Sequence, residues 1–524
     1  MKHRLLVLVA CSLAVWPASS RAQTYPTDDA MIKAIWEQGM ERSEAYRLAQ
    51  ALLDSIGPRL TGTPGQLAAN EWAVRMLQSW GVEARNEQYG TWMGWRRGIS
   101  HIDLVTPRVR SLDGRILAWS PGTGGKRVRA GVVILPDVTD EADFAAWLPQ
   151  VKGKFVLTTF AQPTCRPDDN WEEYAAQGSF DRMRAHRDSL QQAWRRRASR
   201  LGTPVTEVAR RLEQAGAIGI LSSNWTTGWG ANRVFSASTE TIPTFDLSCE
   251  DYGLVYRLAE NGQGPVLQAE ADAEFTGTAP LFNTIGMIRG TEKPDEYVLL
   301  SAHYDSWDGG SGATDNGTGS ITMLEAMRIL KAVYPRPKRT IVIGLWASEE
   351  QGLNGSRAFV QDHPEVVAGL QALFNQDNGT GRIVRVSGSG LLGAGEFFGR
   401  WFSKIPQELT GDIDLSFPGT PSGGGTDHAS FICAPAPAFG LGSLDWGYFR
   451  YTWHTQVDTF DKLVFDDLKN NATLTAMLAY LASEEPGRIP LDRRVLPVSP
   501  RSGEQMTWPE CRDPQRSWED YRSR

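Results

Sequence analysis

The sequence predicts an α/β protein with a mixed, mostly parallel sheet flanked by helices, and three observations support this fold class. The chain has 524 residues, 41% hydrophobic and 22% charged, so it is globular and long enough for two or three domains. From about residue 280, apolar strands alternate with helices, as in a doubly covered parallel sheet. Between about 115 and 275, short apolar strands are joined by long polar segments, which indicates a separate unit.

The predicted elements follow from these patterns. Apolar residues at three- and four-residue intervals predict helices from 24 to about 90. An arginine-rich pattern from 181 to 213 is typical of a solvated helix face. A helix is predicted from Ile321 to Val333. The strand candidates are GVVILPD, GKFVLTT and AIGILSSN in the middle region, and EYVLLSAH, RTIVIGLWAS, ALFNQD and PAFGLG in the last.

The N-terminus predicts export. MKHRLLVLVACSLAVWPASSRAQ has a basic start, an apolar run and small residues before Gln23, so residues 1–22 are expected to be a signal peptide. Lipid attachment at Cys11 is an alternative, but the apolar stretch before it is short. Loss of Lys2, Arg4 and Arg21 changes the formal charge from −7 to −10, which argues against a nucleic-acid partner. No later apolar run approaches a membrane span, so we expect a periplasmic or extracellular protein without a stable membrane anchor.

Four cysteines remain after signal removal. An oxidising compartment permits disulfides, and Cys165–Cys249 together with Cys433–Cys511 is one of three possible pairings. There is no CxxC motif or cysteine–histidine cluster. Any metal must therefore be held by histidines and carboxylates.

Chemically useful side chains follow the predicted strands, where ligands bind in open α/β sheets. His303 and Asp305 follow the first strand of the last region, Glu349 and Glu350 the second, and Asp377 the third. Two further histidines, His428 and His454, lie in GGGTDHASF and YTWHTQVDT. Asp315, in a loop of Gly, Thr and Asn, would by itself be interpreted as a turn or helix-capping residue.

These residue types suit a hydrolytic zinc site. His303 and Asp305 are two residues apart and share a face of extended chain, so Asp305 can hold the second ring nitrogen of His303. Glu349 and Glu350 are adjacent and must diverge. One can bind metal while the other faces the attacking water.

Taken in order, these residues resemble the M28 family of zinc exopeptidases. The motifs are HYD (303–305), GATDNGTG around Asp315, SEEQGLNGS around Glu349 and Glu350, Asp377, and HTQVDT (454–459). IGPRLTGTPG near the N-terminus is also similar to the family. The resemblance implies a zinc exopeptidase-like α/β/α sandwich formed by residues 23–115 and 276–490, followed by a tail over 491–524.

The middle region resembles a β-rich protease-associated (PA) domain inserted into this fold over residues 116–275. The matching stretches are VKGKFVLTTF, RRLEQAGAIGILSSN and IPTFDLSCEDYGLV.

The M28 resemblance also implies roles for the site residues. Asp315 would bridge two Zn²⁺ ions, or other divalent ions. His303 and Asp377 would complete one site, and Glu350 and His454 the other. Glu349 would be the general base and Asp305 the partner of His303. We nominate His428 or Tyr451 as an oxyanion donor or substrate contact. The aromatic cluster from Trp446 to Trp453 is expected either to wall a substrate pocket or to pack in the core.

The implied activity is that of a secreted aminopeptidase acting on peptides. The main alternative is a dipeptidase of the carboxypeptidase Q type. Two remote alternatives are a glutaminyl cyclase, which would use a single zinc, and a non-catalytic binding ectodomain, which would lack some of the metal-binding residues. The sequence does not determine the oligomeric state.

Overall fold

The structure is a computed structural model that describes residues 27–499 and 502–523. The predicted signal peptide and Cys11 lie outside the described residues. Among those described, no helix combines the length and apolar character needed to cross a bilayer.

A single twisted sheet runs through the described chain. Its strand order is β13-β12-β14-β11-β9-β10-β8-β4-β5-β6-β7-β3, with β1 beside β8 and β2 beside β1. The strands are β1 Glu83–Thr106, β2 Arg110–Ser111, β3 Gly114–Ile116, β4 Val128–Ile134, β5 Phe155–Leu157, β6 Gly219–Ser222, β7 Thr244–Leu247, β8 Val266–Ile288, β9 Lys293–His303, β10 Arg339–Trp346, β11 Leu370–Asn375, β12 Ile383–Ser387, β13 Asp414–Ser416 and β14 Ala438–Ser443.

Helices cover both faces of the sheet. They are α1 Ala30–Trp36, α2 Ala45–Gln50, α3 Pro64–Ser79, α4 Glu141–Trp147, α5 Asp168–Tyr174, α6 Ser179–Ser199, α7 Val205–Gln214, α8 Cys249–Glu260, α9 Thr318–Val333, α10 Asn354–Asp362, α11 Pro364–Ala368, α12 Ala394–Phe402, α13 Gln407–Thr410, α14 His428–Cys433, α15 Phe465–Glu484 and α16 Trp518–Arg522. The predicted mixed, mostly parallel α/β fold is confirmed.

The central strands are buried on both faces, which explains their continuous apolar sequences. β9 pairs in parallel with β10 and β11, and β11 pairs in parallel with β14. Val298 and Leu300 pack in the same core as α9 and α15, whereas Leu299 packs in the core that contains Phe359 of α10 and Phe431 of α14. Parallel pairing brings the carboxyl ends of these strands to one edge.

The prediction of helix up to about residue 90 is wrong at its end. The last helix of this region stops at Ser79, and Gly81 has a φ of +79°. The chain then enters β1, which pairs antiparallel with β8 over most of its length. The paired residues are 160 to 204 positions apart in sequence, so local periodicity could not show the pairing.

The inserted segment, which we define as residues 107–265, connects β1 to β8. Its β4, β5, β6 and β7 are parallel neighbours in order, and β4 also pairs with β8. The arginine-rich pattern over 181–213 forms two helices, α6 and α7, and Arg195 and Arg196 of α6 are exposed. The predicted boundary at 275/276 lies within β8.

The structure contains both proposed disulfides. Cys165 is bonded to Cys249 in the inserted segment. Cys433, the last residue of α14, is bonded to Cys511. Trp518 and Tyr521 of α16 pack against Trp92 of β1. The C-terminal segment, residues 502–523, is thereby attached to α14 through Cys511 and to the long β1 strand through α16.

Candidate metal centre

Three neighbouring parallel strands deliver the predicted side chains to one edge of the sheet. β9 ends at His303, Glu349 lies three residues after the end of β10, and Asp377 lies two residues after the end of β11. His303 is buried. The predicted convergence of these side chains is therefore found in the structure.

Asp315 lies between two imidazoles. The Nε2 atom of His303 is 3.4 Å from Asp315 Oδ1 and 3.1 Å from Asp377 Oδ1. The Nε2 atom of His454 is 3.3 Å from Asp315 Oδ2 and 2.9 Å from Glu350 Oε2. The five side chains predicted as ligands thus form two sets that share the Asp315 carboxylate.

The loop that carries Asp315 is held by a buried arginine. Arg59, in IGPRLTG, is fully buried. Its guanidinium donates to the carbonyls of Tyr304 at 2.8 Å, Ser311 at 2.7 Å and Gly312 at 2.9 Å. Gly312 has a φ of +58°, a conformation that glycine adopts without a Cβ clash. Sequence reasoning had not assigned Arg59 a role.

Asp458 holds the backbone of Asp315 itself. Its carboxylate accepts from the backbone N–H groups of Thr314 at 2.8 Å and Asp315 at 3.0 Å. Asp458 is buried. The sequence motifs alone assign Asp458 no role, although its place in HTQVDT, four residues after His454, is a signal that could identify it.

Asp305 supports both the histidine and the acidic pair. The Nδ1 atom of His303 is closer to the Asp305 carbonyl oxygen, at 3.1 Å, than to its carboxylate, at 3.6 Å. The carboxylate accepts from the backbone N–H groups of Glu349 at 3.1 Å and Glu350 at 3.3 Å. Asp305 therefore orients the turn that carries both glutamates, in addition to bordering the His303 ring.

The electrostatics of the cluster suit a bound cation. Burial, together with neighbouring carboxylates, raises the pKa of Glu349 and of Glu350 well above the usual range. Burial would lower the pKa of His303, but Asp377 and Glu349 outweigh it and raise that pKa. Burial lowers the pKa of His454 to about 4, which leaves its ring neutral and able to act as a ligand at neutral pH.

Unsatisfied polar atoms support the same conclusion. Asp315 Oδ2 and Glu350 Oε1 are buried, and no described residue donates a hydrogen bond to either. Buried carboxylate oxygens without donors are costly. Donor atoms of His303, Glu349 and Asp377, and of His303, Asp315 and Glu350, lie within 4.8 Å of one another. The donors are imidazole and carboxylate, so they fit zinc or a related divalent ion.

The two nominated oxyanion donors, His428 and Tyr451, line cavities next to the one that Asp315 and Glu349 line. The Tyr451 hydroxyl is 3.4 Å from Asp169 Oδ2 in the inserted segment, and Tyr451 lines a different cavity. His428 also lines a separate cavity, where its ring lies against Gly440. Helical and turn geometry after Gly447, which sequence spacing does not reveal, directs Tyr451 outward.

Tyr448 lies closer than Tyr451 to the candidate metal centre. It is buried and lines the cavity together with Asp315, Glu349 and Glu350. Burial and the facing Asp315 carboxylate raise the pKa of the Tyr448 hydroxyl well above its usual value, so the hydroxyl keeps its proton and can donate it in a hydrogen bond. Phe449 and Trp453 line the same cavity. Part of the aromatic cluster therefore forms a pocket wall.

The inserted segment contacts the loop that carries His454. The backbone N–H of Val234 donates to the His454 carbonyl at 2.7 Å, and Arg233 pairs with Thr455 in an antiparallel bridge. Gln456 accepts from the Asn232 N–H at 2.8 Å and donates to the Gly230 carbonyl. We call this set of interactions the 230–235 contact.

Aromatic packing extends this contact to the His454 ring. Trp453 stacks on the His454 ring at 3.7 Å between centroids, and Phe235 meets it edge-on at 5.5 Å. The Arg233 guanidinium lies 4.9 Å from the centre of the Trp453 ring. His454 has a φ of +59°, an unfavourable conformation for a residue other than glycine. The surrounding contacts therefore maintain it.

Known proteins are similar to this chain in sequence. Residues 283–479 match the profile of peptidase family M28. Carboxypeptidase Q from Mus musculus is 26% identical over 452 residues, covering 86% of this chain and 88% of that protein. The Bos taurus protein of the same name is 26% identical over 449 residues, covering 85% and 86%.

Solved structures agree on the fold. A peptidase M28 precursor from Shewanella amazonensis SB2B superimposes with a TM-score of 0.63 at 22% identity, covering 88% of this chain and 98% of that chain. BSAP, a zinc aminopeptidase from Bacillus subtilis, gives 0.52 at 20% identity, covering 84% and 94%. Together with the carboxypeptidase Q relatives, the profile match shows that this chain contains an M28 peptidase region over residues 283–479 and is a metallo-exopeptidase.

Proposed function

We propose that this chain is an exported, dizinc aminopeptidase that hydrolyses the peptide bond next to the free N-terminus of peptides. One observation carries the proposal: the two oxygens of Asp315 face the Nε2 atoms of two different histidines, His303 and His454. The predicted signal peptide over residues 1–22 and the two disulfides support export to the periplasm or the exterior.

The ligand assignment follows the two sets of contacts. His303 and Asp377 would hold one zinc, Glu350 and His454 the other, and Asp315 would contact both. Zinc bound there would lower the pKa of a bound water and polarise the scissile carbonyl.

Glu349 is the proposed general base. Its carboxylate lies near the donor atoms of His303 and Asp377 but is not needed to complete either set. From there it would accept the proton of the attacking water and return it to the leaving amine. Asp305 keeps Glu349 in place through the backbone N–H of that residue. The Tyr448 hydroxyl would donate a hydrogen bond to the developing oxyanion.

We also propose the domain organisation that the sequence predicts. Residues 116–275 would be a PA domain inserted into a catalytic domain formed by 23–115 and 276–490, with a tail over 491–524. The long antiparallel pair β1 and β8, which leads into and out of this region, supports the proposal.

A dipeptidase of the carboxypeptidase Q type is the second candidate function. The specific observation in its favour is that two arginines line the cavity that also contains the acidic metal-site residues. Cations at that position would favour a substrate whose carboxylate lies close to the scissile bond.

Two variants test the proposed mechanism. Glu349→Gln should retain about two zinc ions per chain and lose hydrolysis by at least about 100-fold, the usual contribution of general base catalysis. Asp315→Ala should lose metal, because it removes the shared ligand. Zinc is measured by elemental analysis, and hydrolysis with aminoacyl anilides, dipeptides, longer peptides and their N-acetylated counterparts. Normal turnover by Glu349→Gln, or equal cleavage of N-acetylated peptides, would contradict the proposal.

A further inference from the structure

The cavity above the metal-site side chains has an acidic side and a basic side. Its volume is about 370 Å³, in the range of small-molecule binding sites. Arg357 and Arg512 line it, and no other arginine or lysine among the described residues does so. The acidic side chains that line it are Asp315, Glu349, Glu350 and Asp377.

Arg357 stands next to the acidic pair. It belongs to α10, which begins at Asn354. Its Nη1 atom lies 3.9 Å from the position that a Cβ on Gly352 would occupy. The N–H of Gly352 donates to the Glu349 carbonyl at 2.7 Å, closing the turn that begins at the proposed general base. The Arg357 guanidinium is therefore placed over this turn.

Arg512 is held near Arg357 by the C-terminal segment. The preceding residue, Cys511, is bonded to Cys433. The backbone N–H of Gln515 donates to Asn354 Oδ1 at 2.9 Å, so the segment is fastened to the start of the helix that carries Arg357. The Arg512 side chain is exposed. Within the described part of the chain, no carboxylate forms an ion pair with Arg512 at 4.0 Å or less.

Two nearby arginines differ from Arg512. Arg210 and Arg522 line the adjoining cavity, which Arg357 and Arg512 also border. Both lie close to the Glu240 carboxylate, at 3.7 Å and 3.0 Å. Their charge is thus compensated within the protein, and they do not line the metal-site cavity.

We propose that Arg357 and Arg512 bind the C-terminal carboxylate of a substrate of two or three residues, whose amino terminus faces the acidic side. This inference rests on the proposed exopeptidase function. A short peptide at neutral pH has an ammonium group at one end and a carboxylate at the other, which matches the charge distribution of the cavity. Guanidinium groups bind carboxylates through paired N–H donors. Two extended residues span about 7 Å, so the two charged ends lie close together.

The test compares an apolar dipeptide with its C-terminal amide, using the zinc-loaded enzyme. The wild type should cleave the free acid with a kcat/KM at least about 10-fold higher than that of the amide, since a hydrogen bond to a charged group is worth that factor or more. Arg512→Gln and Arg357→Gln should remove this preference, mainly by raising KM for the free acid, and should change kcat/KM for the amide by a much smaller factor. Arg512→Lys should restore part of the preference.

Arg210→Gln is the matched control and should keep the wild-type preference. Zinc content and melting temperature verify that each variant is folded. If Arg357→Gln does not fold, the substrate preference of Arg512→Gln tests the proposal, because the Arg512 side chain is exposed. Calorimetry with Glu349→Gln, which we expect to bind substrate without turnover, should show tighter binding of the free acid than of the amide.

The outcomes separate this inference from the function on which it rests. If the wild type cleaves both substrates equally well, the carboxylate site is wrong and the exopeptidase function stands. If the variants keep the preference for the free acid, the two arginines are not the residues responsible. If the zinc-loaded wild type cleaves neither substrate nor any longer peptide, the proposed function fails and this inference fails with it.

Discussion

Replacing Gln456 should weaken zinc binding at the Glu350 and His454 position, although Gln456 contacts no metal ligand directly. Its side chain accepts from the Asn232 N–H at 2.8 Å and donates to the Gly230 carbonyl. These two hydrogen bonds join the inserted segment to the loop that holds His454 in a left-handed conformation, with a φ of +59°. Without them, the loop conformation that places His454 beside Asp315 and Glu350 is less stable.

The magnitude follows from the two bonds. Each hydrogen bond contributes about 1 kcal/mol net, so Gln456→Ala should weaken the 230–235 contact by about 2 kcal/mol. If this loss falls entirely on the population of the ligating conformation, the apparent zinc affinity falls by up to about 30-fold. Gln456→Glu keeps the acceptor but puts a carboxylate against the Gly230 carbonyl, so it should not restore affinity.

The assay is a zinc titration of the metal-free protein against a chelator of known affinity, which resolves two binding steps. One step should weaken in Gln456→Ala and the other should not, because Asp377 lies outside this contact. The control is Gln407→Ala, which changes an exposed glutamine at the start of α13. If folded Gln456→Ala binds zinc in both steps with wild-type affinity, the idea that the inserted segment positions His454 is refuted.

Two further predictions use other buried groups. Tyr448→Phe should retain zinc and lower kcat by about 100-fold with little change in KM, the usual cost of losing one oxyanion donor; an unchanged kcat would exclude this role. Burial raises the pKa of Asp246 to about 6, from 3.8. The folded state therefore holds this proton more tightly, and stability should fall by about 3 kcal/mol as the pH rises from about 4 to 6. Denaturant unfolding of Asp246→Asn at these pH values should lack this decrease, and an identical pH dependence would contradict it.

Much of the metal centre could be predicted because its residues follow strands whose apolar sequences are easy to recognise. Parallel neighbours end at the same sheet edge, so His303, Glu349 and Asp377 had to meet there once the sheet was assumed. Asp315 and His454 required the resemblance to known motifs, since an aspartate in a glycine-rich loop is usually a turn residue. The structure supports the grouping by placing Asp315 between both histidines.

Other features depended on contacts between distant segments. Residues 83–106 form a strand because β8 pairs with them across a separation of 160 to 204 residues. Tyr448, not Tyr451, faces the metal site because the turn after Gly447 rotates one side chain inward and the other toward Asp169. Neither result is encoded in local periodicity.

The sequence by itself determined the α/β class, the order of the motifs and the residue types of the candidate metal centre, since strand composition and residue chemistry are local properties. Only the tertiary structure showed that Arg59 and Asp458 hold the Asp315 loop, that the inserted segment contacts His454, and that Arg512 borders the same cavity as Glu349. These arrangements join segments that lie far apart in the chain. Their geometry is set by packing and hydrogen bonds that form when the chain folds.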